Sequence, residues 1–180
     1  MAKTSKQQII AAAEALILAQ DNAEISLAQL STELGITHGA LYKHFPNKQA
    51  LWTAVAAAWF QDAILNRLSI PQQGSRQERL HAWLWAFVNA KKAAYNSDSK
   101  MFTLNTKYID QNPAALSQVL QGAYAQMNEI LGLPADDYDH AEMILATFAI
   151  FTLPNFKSSW NDAEYADRFE AIWNLIKGGV

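Results

Sequence analysis

Cysteine is absent from the 180 residues. That absence removes disulfides, thiolate metal sites and cysteine nucleophiles together, and it fits a reducing cytoplasm. Long apolar runs are missing too: no stretch approaches the ~20 apolar residues that a membrane span needs, so no membrane partner is expected. Glycine (7) and proline (5) are scarce, and Gly35, Pro71 to Gly74, Gly132 and Pro134 interrupt the apolar pattern as helix punctuation does. Positive charge is not in excess. The formal net charge is -3, and within residues 1–50 Lys3, Lys6, Lys43 and Lys48 are balanced by Glu14, Asp21, Glu24 and Glu33. A generally basic domain is therefore excluded, and an acidic partner would have to be met by a local face. What is present is ordinary globular material: 51% apolar residues with six Trp, six Tyr and eight Phe, enough to bury one domain or two small ones. Neither an internal repeat nor a low-complexity tract is visible.

The stretch Ser26 to Phe45, SLAQLSTELGITHGALYKHF, reads as two short helices joined by a tight turn. Ser26 with Gln29 three residues later forms a capping box, which starts a helix at Leu27 and lets it run to Leu34. Gly35 stands where a helix end favours positive φ, and Thr37 caps a second helix two residues on. Ile36 can staple to Leu41. Rotating that second, seven-residue helix by about 100° per residue puts Leu41 and Phe45 on one side, with Leu27, Leu30, Leu34 and Ile36 to cover them. Gly39 and Lys43 fall opposite, flanked by Tyr42 and Ala40. A face of small side chains, a cation and a phenol suits close approach to a DNA major groove, where phosphate contacts position a helix and base-edge contacts specify sequence.

Along the rest of the chain the spacing predicts an all-α fold of about nine helices and no strand. Ile9, Ile10, Ala13, Leu16 and Ile17 make an amphipathic first helix, with Glu14 arguing against a secretory signal. The Asp21-Asn22 segment is a loop, and Asn47 caps a helix over residues 48–68. Ser75 and Glu78 box a helix to about Tyr95, and residues 101–109 form a short one. Asn112-Pro113 starts a helix that ends at Leu131, before Gly132 and Pro134. Asp139 with Glu142, and Asn161 with Glu164, are expected to cap two last helices over 139–156 and 163–176, with Pro154 kinking or ending the former.

The run Ile25 to Trp52, ISLAQLSTELGITHGALYKHFPNKQALW, resembles the DNA-binding motif of the TetR (tetracycline-repressor) family of bacterial transcriptional regulators. The resemblance covers the LGIT turn, the LYKHF end of the recognition helix and the FPNKQAL entry into the next helix. It implies a helix-turn-helix head over residues 1–47, and a ligand-binding and dimerisation domain over 48–180 with helix 48–68 linking the two. It further implies a homodimer through the last two helices, a pseudo-palindromic operator in double-stranded DNA, and a repressor released by a small, largely apolar effector.

Individual residues carry two readings each. Thr37 is a helix cap that can also donate to a phosphate. Tyr42 sits on the polar flank and favours phosphate over packing, while His44 and Lys48 match family positions that contact the DNA backbone. A cation at a helix start opposes the dipole, so a phosphate neighbour explains Lys48 better than stability does. His38, Gly39, Ala40 and Lys43 are the candidates for reading bases. In the body, Trp83, Phe87, Asn105, Tyr124, Met127 and Phe148 are either core or the lining of an effector cavity. The acidic cluster Asp136, Asp137, Asp139, His140 and Glu142 reads as helix capping rather than a metal site, and no cofactor is expected. Two rivals remain: a DNA-binding regulator whose body only dimerises or binds a protein, and, more remotely, a helical enzyme using His81, His140 or nearby carboxylates.

Overall fold

The computed structural model describes residues 4–20 and 25–180. Lys3, the Asp21-Asn22 loop and Glu24, part of the charge balance above, lie outside them. Among the described residues the fold is all-α, with ten α-helices and no strand: α1 (Lys6–Ala19), α2 (Leu27–Leu34), α3 (His38–Tyr42), α4 (Lys48–Ala63), α5 (Arg76–Ser97), α6 (Ser99–Asn105), α7 (Pro113–Leu131), α8 (Tyr138–Thr147), α9 (Ala149–Thr152) and α10 (Tyr165–Ile176). A π-helical turn over Thr106–Asp110 follows α6.

The chain divides into two compact units. The first joins residues 1–61 to residues 98–116. Its α1 starts in a Ser5–Gln8 capping box and buries Ile9, Ala13 and Ile17, the i, i+4, i+8 stripe of an amphipathic helix. Ile25, Leu30, Leu41 and Phe45 are buried with them, while Leu27, Leu34 and Ile36 are only partly covered. Leu30 is buried together with Ile25, which precedes the α2 cap. From α4, Leu51, Trp52, Val55 and Trp59 continue the core, and from α6 Met101 and Phe102 join it, Phe102 meeting Trp59 edge-on at 6.5 Å.

The second unit comprises residues 62–97 and 117–180. The Ser75–Glu78 box is present, with Ser75 N–H donating to Glu78 Oε2 at 2.7 Å and Glu78 N–H to Ser75 Oγ at 3.3 Å. Those bonds hold the Glu78 carboxyl below its usual value. In the first unit, Asn112 Oδ1 accepts from Ala115 N–H at 3.3 Å, as expected of a cap before Pro113. The core is aromatic: Phe148, Phe151, Tyr165 and Phe169 have ring centroids 5.0 to 6.3 Å apart.

Several boundaries differ from those read off the sequence. The helix expected over 48–68 ends at Ala63, and a 3-10 turn over Leu65–Arg67 lets the neighbours Ile64 and Leu65 both be buried. The helix expected over 139–156 is two. Phe148 breaks it with φ -94 and ψ 19, which delivers Phe148 and Phe151 to the same aromatic cluster. Leu153 is then extended (ψ 133) before Pro154, as a residue preceding proline prefers, and Pro154 opens a 3-10 turn to Ser159.

The caps of the last two long helices are corrected as well. Helix α8 begins one residue before Asp139, at an Asp137 cap position that makes no side-chain bond. The preceding loop is fixed instead by Asn128 Nδ2, which donates to the carbonyls of Pro134 and Asp137 at 2.9 and 2.7 Å. Helix α10 starts at Tyr165 with Glu164 at its cap position and no side-chain cap, and Asn161, three residues earlier, forms a reciprocal amide pair with Asn96, 3.0 Å in each direction. No helix among the described residues is long and apolar enough to cross a membrane.

Candidate nucleic-acid interface

The outward face of α3 is set by the turn before it. Ser26 and Gln29 box the start of α2 at 2.8 and 3.1 Å. At its end Ile36 N–H reaches back to Ser31 O (3.0 Å) and Gly35 N–H to Thr32 O (3.1 Å). That pair of bonds is the Schellman pattern, and it requires the left-handed φ of 62° that Gly35 supplies. Thr37 follows at once, its Oγ1 accepting from Ala40 N–H at 3.2 Å. Because the hydroxyl acts there as acceptor, its O–H remains able to donate.

Helix α3 is five residues rather than seven, ending at Tyr42. Lys43 nevertheless keeps helical angles (φ -69, ψ -25), and Phe45 N–H still bonds to Leu41 O at 3.0 Å. The turn after Tyr42 therefore carries Lys43 and His44 on round the same axis. Leu41 is 3% exposed and Phe45 6%, whereas Tyr42 is 48% exposed. Thr37, His38, Gly39, Lys43 and Lys48 are exposed, and Ala40 and His44 are half-buried. Gly39 has no positive φ, and a Cβ on it would meet only Thr37 Oγ1, at 3.8 Å. Nothing in the protein's own packing demands a glycine there. Lys48 opens α4, where Asn47 Oδ1 accepts from Ala50 N–H at 2.7 Å and the first turn holds no acid. The positive end of that helix dipole and the Lys48 ammonium coincide, a combination that favours an anion.

The six candidate effector residues are divided between the two units. Asn105 belongs to the first unit, fully buried, its Nδ2 donating to Asp110 Oδ2 at 3.0 Å while its Oδ1 has no partner. The other five lie in the second unit. Trp83 and Phe87 stack at 5.5 Å and 11°, and Trp83 Nε1 donates to Gln126 Oε1 at 2.8 Å. Tyr124 packs on Tyr138, and Met127 and Phe148 are fully buried. Asn89 spends its amide on Trp85 O of its own helix. An open pocket of ≈ 380 Å³ is lined by Ser75, Gln77, Glu78, His81 and Trp173. Another, of ≈ 260 Å³, is lined by His140, Met143, Ile144, Thr147, Ile176, Gly179 and Val180. Neither is lined by any of the six.

His81 Nε2 pairs with Glu170 Oε1 at 2.8 Å, with its ring edge-on to Phe169 and Trp173. His140 is in the other pocket. Among the described residues no three His, Asp or Glu side chains could share a metal ion. Sequence reasoning passed over Lys100, whose ammonium donates to backbone carbonyls of Leu18 and Gln20. No local signal marks a partner about eighty positions away in the chain.

Residues 9–55 match the bacterial regulatory proteins of the tetR family. Over 97% of its length the chain is 20% identical to the nucleoid occlusion factor SlmA of Yersinia enterocolitica, covering 93% of that protein. It is 23% identical to SlmA of Escherichia coli, again over 97% of its length and covering 94% of that protein. The crystal structure of BioQ with its double-stranded DNA operator shares the fold, with a TM-score of 0.58 at 18% identity over 97% of this chain and 98% of that one. The matched residues are those that build the helix-turn-helix, so residues 9–55 carry a DNA-binding motif of the kind found in bacterial regulatory proteins of the tetR family.

Proposed function

We propose that the protein is a homodimeric repressor that holds a pseudo-palindromic operator and lets go when a small, largely apolar effector binds in residues 48–180. The observation that carries this reading is the outward face of α3: an exposed glycine whose added Cβ would meet only Thr37, between an exposed phenol and an exposed cation. On this reading Thr37, Tyr42, His44 and Lys48 bond phosphates, and His38, Gly39, Ala40 and Lys43 meet base edges. Lys43 suits guanine acceptors and Ala40 a thymine methyl. The head of residues 1–47 would meet its operator in the cytoplasm.

The dimer is proposed through α8 and α10. Leu175 is 84% exposed and Met143 73%, and two such side chains on the last long helices are unfavourable in water unless a second copy covers them. Two heads then reach successive major grooves about 34 Å apart, and an effector that changes their separation ends the fit.

A second reading keeps the operator but makes the body purely a dimerising or protein-binding unit. It is favoured by Trp83, Phe87, Met127 and Phe148, each at most 1% exposed and filling space that an effector would need. Selection of bound fragments from random DNA by the purified protein, repeated while small molecules are screened for release, separates the two. An enriched palindrome with a releasing ligand supports the first, and an enriched palindrome that no ligand releases supports the second. Recovery of unenriched DNA would overturn both. Substitution of Ala40 or Lys43 should change which sequences are selected, and an unaltered selection would remove them from base reading.

A further inference from the structure

The C-terminal end of α1 is closed from a distance. A helix leaves its last carbonyls without intrahelical partners and carries about half a negative charge there. The last turn of α1 contains no basic residue, and Gln20 leaves the helix in an extended conformation (φ -112, ψ 158). The cation arrives from α6 of the same unit: Lys100 Nζ donates to Leu18 O at 3.3 Å and also to Gln20 O. Its backbone is held firmly. Asp98 Oδ1 caps α6 by accepting from Met101 N–H at 3.0 Å, and Met101 and Phe102, the two residues after Lys100, are 1% and 2% exposed. A fixed backbone means that the ammonium constrains α1 rather than following it. Helix α1 packs on α2, and α2 on α3, so the constraint passes to the recognition helix through a buried core.

We propose that Lys100 is a positioning residue for DNA binding: it fixes the C-terminal end of α1, and with it the orientation of the head, without touching DNA. The inference rests on the regulator reading above. Lys100→Met keeps most of the stem and removes the donors, whereas Lys100→Arg keeps charge and donors. Operator affinity of the full-length variants is measured across salt concentrations, at a temperature where circular dichroism shows each fully folded. Hydrogen exchange over α1 to α3 is followed in parallel.

Lys100→Met should bind roughly tenfold more weakly, as loss of a charge-assisted bond implies, with an unchanged salt slope. Lys100→Arg should recover most of the loss, and exchange over α1 should quicken in the Met variant alone. A purely stabilising role would lower the melting temperature yet leave the affinity of the folded protein unmoved, which overturns the proposal. So does a salt slope reduced by about 0.9, which would make Lys100 a phosphate contact itself. If Lys100→Met does not fold, Lys100→Gln takes its place under the same criteria. Should the wild-type protein select no DNA at all, the regulator reading falls; unchanged exchange over α1 in the variant would then refute the clamp separately.

Discussion

Lys48 and Tyr124 show how differently a charge behaves at the rim and in the core. Lys48 is exposed at the start of α4, where its ammonium adds to a positive dipole end. On the proposed reading, Lys48→Ala weakens binding to every DNA sequence alike and lowers the salt slope by about 0.9 per protomer, measurable by titration between low and moderate salt. A slope that stays put would remove the phosphate contact. Tyr124 is buried, and burial, helped by the nearby Glu142 carboxylate, pushes its phenol up to about 12 from an ordinary 10.0. Burial raises Tyr165 as well. Folding therefore disfavours the phenolates: the contribution is complete below pH 10 and is lost as pH climbs from there towards 12. Thermal melts should show stability falling over that alkaline window, and a Tyr124→Phe, Tyr165→Phe variant should fall less.

Among elements, those whose ends are fixed by neighbours in sequence were legible, and those whose ends are fixed by distant partners were not. The α2 boundaries, the Gly35 turn and the Thr37 and Asn47 caps follow from side chains within three residues of the bonds they make. The α10 start lies at Tyr165, beyond the place that Asn161 marks, and Asn161 is instead paired with the distant Asn96. The split of the helix over 139–156 was invisible because a helical apolar period continues through Phe148, and only the position of Phe169 rewards breaking it. The site divides in the same way. The outward face of α3 could be found by rotation, whereas an effector site requires knowing which aromatic residues face empty space, and spacing does not encode that. Because Thr37 starts α3 so simply, its role is separable. Thr37→Ala should cost about 1 kcal/mol of stability in a denaturant melt. DNA affinity should fall further than the melt explains if the hydroxyl also donates to a phosphate, while Thr37→Ser retains both.

At the scale of the whole molecule, assembly decides whether one short helix is enough. With the charge of residues 1–50 balanced there is little general attraction for DNA, and a single five-residue helix offers few contacts, so two heads acting together are the natural remedy. Leu175 gives the direct check. Leu175→Glu places a carboxylate on the proposed dimer face of α10 and should yield a folded monomer in sedimentation experiments, with operator affinity lost far more steeply than Lys48→Ala loses it. A dimer that survives this change would move the interface elsewhere.

The first unit's discontinuity also bears on engineering. Because residues 98–116, Met101 and Phe102 of α6 among them, share a unit and its core with residues 1–61, the reading head is not a cassette that can be cut at its last contiguous residue and grafted onto a foreign body. Any chimaera has to bring residues 98–116 along, or replace their apolar side with a counterpart of matching relief, or Trp59 is left facing water in place of its edge-on neighbour.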